Sequence, residues 1–247
     1  MEKSYYEQTF ILKNWQTDIQ ACWKPSAVLI AMQEAATAHA EQLGGGYDVL
    51  GPKNLCWVLM KTRLEMLRYP KCGESIRLVT YPGKTRHAVY PRYFHFETAD
   101  GDPVGRAATA WGIIRADDRR LAQPEEAGFT TEEGGDGSEN LPQAKNFRPI
   151  EGSVTVTDYS PVYSDFDFNG HVNNTRYVDW LCNLLYGGAP PKSEIAELAV
   201  HYHAELRPES SVRLTLTREP EAATLVGEAE GETAFTVSAA LRGREAD

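Results

Sequence analysis

The chain has 247 residues, 42% hydrophobic and 24% charged, which excludes global disorder and fits one large or two small globular domains. Its 25 Lys and Arg against 35 Asp and Glu leave a net charge of −10, so a protein wrapping nucleic acid through a basic surface is excluded unless the charge is strongly local. No apolar run approaches the roughly 18 to 20 residues that cross a bilayer, and Met1-Glu2-Lys3-Ser4-Tyr5-Tyr6 lacks the plan of a signal peptide, which points to a cytoplasmic chain with no membrane partner.

Residues 7–18 predict a strand. Lys24-Pro25-Ser26 then opens a helix over 27–43, with Ser26 as its cap and Gly44-Gly45-Gly46 as its stop. Strand-like runs follow at 56–67, 75–81, 88–98 and 104–115, divided by Tyr69-Pro70, Pro82-Gly83 and Asp100-Gly101-Asp102. Across 124–150 the residues turn to Gly, Glu, Thr, Pro and Asn, a composition that buries too little apolar surface to fold alone and predicts a linker. After it the order restarts: a strand at 153–159, a helix from about 172 to 186 ended by Gly187-Gly188, then strands at 196–206, 211–219, 224–230 and 234–242. The pattern predicts two copies of one α+β module, residues 1–123 and 151–247, each a long helix with an antiparallel meander. The thiols Cys22, Cys56, Cys72 and Cys182 show no C-x-x-C spacing, which suits reduced cysteines better than a disulfide scaffold or a zinc knuckle.

The turn into the second helix reads Asp167-Phe168-Asn169-Gly170-His171-Val172-Asn173-Asn174. Asp167, Asn169 and His171 alternate with Phe168 and Gly170, so an extended stretch there puts a carboxylate, an amide and an imidazole on one side. These groups suit hydrolysis of an activated acyl bond, in which water loses a proton as it attacks and the carbonyl oxygen becomes negative. Backbone amides near Gly170, His171 and Val172, at a helix N-terminus, are the candidate oxyanion donors. The plainer reading is that Asp167 and Asn169 cap the helix and Asn169-Gly170 makes a turn. In His201-Tyr202-His203-Ala204-Glu205-Leu206, period-two alternation puts His201, His203 and Glu205 on one strand face, either solvent-exposed or bringing Glu205 to the Asp167 loop. The matching loop of the first copy, Ala21-Cys22-Trp23-Lys24-Pro25-Ser26, has no such series, so chemistry of this kind is expected once per chain.

With Tyr177 and Glu205, that string resembles the acyl-acyl carrier protein (ACP) thioesterases, the plant plastid enzymes and their bacterial relatives. In the first half the resemblance extends to Trp57-Val58-Leu59, Arg63, Glu65, Arg68-Tyr69-Pro70, Gly73-Glu74 and the strand carrying Trp111. The resemblance implies a tandem hotdog, each long helix wrapped by a curved antiparallel sheet, that hydrolyses fatty acyl-ACP to free fatty acid and holo-ACP without a metal or other cofactor. Asp167, Asn169, His171 and Glu205 fall on the family's catalytic positions. The plant enzymes carry a Cys after the Glu where this chain has Leu206, so a thiol nucleophile there is excluded, and no plastid transit segment is seen, which points to a bacterial cytoplasm. The first module is expected to set acyl-chain length, with Val28, Ile30, Met32, Ala35 and Ala36 of the first helix walling an apolar slot or simply filling the core.

An acidic carrier needs a basic landing site. From Lys61 to Arg92 the basic residues Arg63, Arg68, Lys71, Arg77, Lys84 and Arg86, with Lys61 and Arg92 themselves, outnumber Glu65 and Glu74, which makes a candidate docking patch. Competing readings are an acyl-CoA thioesterase of the same fold, a non-enzymatic acyl-binding module, and a zinc hydrolase using His171, His201, His203 and Glu205. No G-x-S-x-G is present, and Gly83-Lys84-Thr85 lacks the earlier Gly of a P-loop because Leu78 stands there. A tandem chain supplies its own pairing, so monomer and homodimer are both open.

Overall fold

A computed structural model describes residues 4–135 and 140–244. The first half contributes β1 (Tyr6–Ile11), β2 (Leu55–Met66), β3 (Ser75–Pro82), β4 (Tyr90–Thr98) and β5 (Pro103–Arg115). The second contributes β6 (Ser153–Tyr159), β7 (Ser193–Tyr202), β8 (Val212–Arg218), β9 (Ala222–Ala229) and β10 (Glu232–Gly243). Together they make one 10-stranded antiparallel sheet in the order β1-β3-β4-β5-β2-β7-β10-β9-β8-β6. Read outward from the middle, β2-β5-β4-β3-β1 and β7-β10-β9-β8-β6 have the same connectivity. The halves are therefore two copies of one hotdog unit, joined edge to edge. At the seam Leu64 lies opposite Leu198 and Glu65 opposite Glu197. Arg63 lies 2.7 Å from Glu65 and 3.3 Å from Glu197, offsetting the like charges that the register brings together.

The first long helix, Pro25–Gln42, starts two residues before the sequence prediction because Pro25 takes the first helical position, where its missing N–H is no loss. Lys24 is the cap residue; Ser26, expected in that role, is buried inside the first turn. The helix ends before Gly44, whose φ of +78° an L side chain rarely adopts. Its Val28, Leu29, Met32 and Ala35 are buried together with Phe94 and Phe96 of β4, so the N-terminal sheet covers it. The second long helix, Arg176–Tyr186, begins later than expected. Residues 173–175 form a turn instead, in which the Asn173 Oδ1 accepts from the Thr175 N–H at 3.0 Å and hydroxyl at 2.8 Å. Tyr177 stacks on Phe235 of β10 with ring centres 4.1 Å apart, and both helices share one core.

The segment expected to be a bare linker is packed against the first module. Ala127 is fully buried and Phe129 is 9% exposed. Phe129 lies edge-on to Trp57 at 5.7 Å and stacks on Tyr90 at 6.0 Å. Leu141 and Ala144 are buried as well. Single apolar residues spaced among polar ones hide this from a composition reading. Residues 136–139 of the segment lie outside the described residues. Among the described residues no helix is long and apolar enough to cross a membrane.

Candidate active site

The Asp167 loop is a small hairpin and not a helix N-terminus. Phe166 and Val172 form a bridge, the Asp167 N–H donates to the His171 carbonyl at 2.9 Å, and the Gly170 N–H donates to the Asp167 carbonyl at 3.0 Å. Gly170 has a φ of +75°, the left-handed residue that closes a three-residue hairpin loop. The Asp167 Oδ1 accepts from the Asn169 N–H at 2.8 Å, which fixes the carboxylate over the turn. Phe168 at the tip is 93% exposed. Behind the hairpin, the buried Asp165 accepts from the Tyr159 hydroxyl at 2.8 Å, the Val162 N–H at 2.9 Å and the Trp180 indole N–H at 3.4 Å. That anchor was not among the residues singled out in the sequence; its fully satisfied acceptors show it to be structural.

Two of the three expected oxyanion amides are already committed. Gly170 donates within the turn, and the Val172 N–H donates to the Leu206 carbonyl at 2.8 Å. With the second long helix starting at Arg176, its dipole also begins beyond them. The Val172–Leu206 bond has a different consequence: it draws the segment after β7 against the hairpin and carries Glu205 with it. The alternation expected through His201, His203 and Glu205 breaks because the N–H groups of His203 and Ala204 both donate to the Ala234 carbonyl, at 2.8 and 3.0 Å. His201 is buried and stacks on His203 with ring centres 6.3 Å apart, while Glu205 lies past the end of the strand. The Glu205 Oε2 is 3.4 Å from the His171 Nε2.

Asp167, Asn169, His171 and Glu205 line one cleft of about 460 Å³, which Trp57 and Trp111 of the first module line as well. The first module also reaches the carboxylate: Arg119, just beyond β5, donates from Nη2 to the Glu205 Oε1. Desolvation and then the Arg119 guanidinium hold the His171 imidazole below its usual range, with Arg207 acting the same way and Asp167 opposing. The neutral imidazole is thereby favoured. Among the described residues no group of His, Cys, Asp and Glu side chains has the arrangement of a metal site. Of the four residues of the zinc reading, His171, His203 and Glu205 line the cleft but the buried His201 does not, so the set does not assemble.

The remaining expectations divide. Trp111 borders both the cleft and a smaller cavity of about 80 Å³ walled by Ala36, Ala40, Tyr90 and Phe129. Met32 borders a third small space, also beside Trp111. Val28 and Ala35 are packed core, and Ile30 is partly exposed. The basic patch is largely neutralised. Arg68 donates to both oxygens of Glu74 at 3.1 and 2.7 Å, and Arg77 lies 2.6 Å from both Glu7 and Glu97. Lys84 is 3.4 Å from Glu132, and Arg63 is held at the seam between Glu65 and Glu197. Arg92 is buried against His39, its Nη1 3.0 Å from the imidazole Nδ1. Glu7, Glu97, Glu132 and Glu197 come from outside the 61–92 window, which is why charge counting along the chain missed them. Arg86 is exposed.

Residues 3–127 match the model of the acyl-ACP thioesterase N-terminal domain, and residues 150–241 that of the C-terminal domain. An acyl-[acyl-carrier-protein] hydrolase, chloroplastic, of Cuphea viscosissima is 23% identical over 87% of this chain and 55% of its own length. An oleoyl-acyl carrier protein thioesterase, chloroplastic, of Arabidopsis thaliana is 21% identical over 87% of this chain and 63% of its own. The chain thus spans a little over half the length of these curated relatives. Among solved structures, a 12:0-ACP thioesterase from Umbellularia californica superposes with a TM-score of 0.81 at 20% identity, over 99% of both chains. An acyl-ACP thioesterase from Bacteroides thetaiotaomicron gives 0.78 at 20% identity, over 98% of this chain and 99% of that one. These likenesses establish the shared tandem hotdog fold. Matched by both domain models along most of its length, the chain belongs to the acyl-ACP thioesterase family.

Proposed function

We propose that this protein hydrolyses the thioester of fatty acyl-ACP, releasing free fatty acid and holo-ACP. The observation that carries the reading is the convergence of Asp167, Asn169, His171 and Glu205 on one cleft, with Glu205 delivered by the Val172–Leu206 bond. Water in the cleft gives its proton to the Glu205 carboxylate as its oxygen attacks the acyl carbon. Asp167, fixed over the turn, and the Asn169 amide hold the water and the thioester. As the C–S bond breaks, the proton passes from Glu205 through the neutral His171 to the leaving sulfur, which with a free-thiol pKa of about 8.5 departs readily. The His171 N–H is the amide left to meet the oxyanion, since Gly170 and Val172 are engaged. The acyl chain runs past Trp111 toward the cavity under the first helix, walled by Ala36, Tyr90 and Phe129.

Arg120, its side chain 79% exposed, and the exposed Arg207 flank Arg119 and Glu205, and they are the cations offered to an acidic carrier. The site is complete within one chain, so a monomer suffices. Four free cysteines support residence in the reducing cytoplasm. The test is thiol release from acyl-ACP and acyl-CoA of equal chain length by wild type and Asp167→Ala. Release that favours ACP and is lost in the variant supports the proposal; equal or greater release from CoA moves the assignment to an acyl-CoA thioesterase. Saturable binding without release makes the protein an acyl-binding module.

A further inference from the structure

We infer that Arg119, supplied by the N-terminal module, is the positioning residue for the catalytic carboxylate: its guanidinium fixes one oxygen of Glu205 so that the other stays turned to His171. The inference rests on the hydrolase reading of the cleft, and it gives the first module a part in the chemistry that its own helix-entry loop lacks.

Glu205 lies beyond β7, with no strand pairing to hold it. A glutamate side chain so placed has several rotamers open and loses freedom when fixed. Arg119 takes Oε1, and Oε2 then faces the His171 Nε2 at 3.4 Å. Arg119 itself is held at the end of a braced turn. Its N–H donates to the Arg115 carbonyl at 3.0 Å, and the Asp118 Oδ1 accepts from the Arg120 N–H at 3.0 Å and from the Arg115 Nε at 3.1 Å. Arg115 is tied in turn to Glu126 at 3.0 Å. The backbone of Arg119 has a φ of +60°, a left-handed conformation that is unfavourable for a non-glycine residue and is kept where surrounding structure enforces it. A strained residue at the end of a braced turn, aimed across the module boundary onto a cleft carboxylate, is what a positioning role requires.

The charge acts on the neighbour too. His171 is faced by Asp167 from its own hairpin, by Glu205 and Arg207 from the segment after β7, and by Arg119 from the first module. Removing the Arg119 cation makes it easier to protonate His171, and an imidazolium paired with Glu205 ties up the base.

The experiment compares wild type, Arg119→Gln and Arg119→Lys. It measures kcat and KM for acyl-ACP across pH, and in the free protein follows the His171 ring by NMR titration, assigned with His171→Gln. For Arg119→Gln, kcat is expected to fall about tenfold to a hundredfold with KM changed by less than about threefold. The His171 titration and the acid limb of the rate profile should both move to higher pH by up to about one unit. Arg119→Lys should keep the titration near wild type yet recover only part of kcat, because an ammonium restores the charge without the planar fork. An active Arg119→Gln enzyme with unchanged kcat, or with lowered kcat but an unmoved His171 titration and acid limb, would overturn the role of Arg119. A wild type that releases no thiol would instead overturn the hydrolase reading.

Discussion

Replacing Phe129 with Ala removes a ring that the sequence assigns to a linker and the fold places in a cavity wall. The ring is 9% exposed and packs at 5.7 Å on Trp57 and 6.0 Å on Tyr90. Its nearest atom also stands 2.6 Å from where a Cβ on Gly45 would lie, so it fills the space that glycine leaves open. Truncating a ring so enclosed costs about 3 to 4 kcal/mol. For a chain of this size that lowers Tm by roughly 10 °C. The same change enlarges the 80 Å³ cavity that shares Trp57 and Trp111 with the cleft. Each further methylene admitted gains about 0.8 kcal/mol, about fourfold in kcat/KM. Relative to wild type, the preference for an acyl chain two carbons longer should therefore rise by about fifteenfold. The assay is kcat/KM over an acyl-ACP series of graded length, with Tm measured on the same preparations. A lowered Tm with an unchanged chain-length profile would refute the cavity as the acyl slot; an unchanged Tm would refute the packing of residues 124–135 as part of the fold.

Three further outcomes follow from particular groups. Burial, and then the Arg92 guanidinium, push the His39 imidazole down to about 4, so the unfolded chain takes up a proton that the folded one refuses. The stability contributed by keeping it neutral is complete above about pH 6.5 and is lost as pH falls toward 4; between pH 7 and 5 wild type should lose about 2 kcal/mol more than His39→Gln in urea denaturation, and equal losses would contradict a neutral buried imidazole. Charge reversal at Arg120 and Arg207 should raise KM for acyl-ACP several-fold in low salt and flatten its salt dependence, whereas reversal at the already paired Arg68 should leave both unchanged; the opposite pattern would return the docking site to the 61–92 face. Gly170→Ala meets open space but a strained backbone, so Tm should change little while kcat falls about tenfold as the hairpin relaxes. An unaffected kcat there would separate the turn from the placement of Asp167 and His171.

The repeated helix and meander could be read from the chain because hydrophobic period and Gly/Pro punctuation are local properties. The seam between β2 and β7 could not, since nothing local tells Leu64 that Leu198 lies opposite. At the site, the Asp167-x-Asn169-x-His171 spacing announced a polar loop, but whether it opened a helix or closed a hairpin turned on the Val172–Leu206 bond and on the turn at 173–175. Strand alternation pointed to Glu205 for a reason that fails in detail, because the double donation to Ala234 breaks the period before residue 205 is reached. Arg119 had no signal of its own. In Asp117-Asp118-Arg119-Arg120 it reads as one of several charges in a solvated turn, and only the packing of two modules separates it from Arg120.

Glu205 is where these contacts meet, so its replacement is the decisive measurement. Wild type and Glu205→Ala are compared by thiol release from acyl-ACP under single-turnover conditions, with thermal unfolding recorded in parallel. The account predicts a rate lowered by about two to four powers of ten at an unchanged Tm. A variant that folds normally and still turns over at the wild-type rate would contradict it.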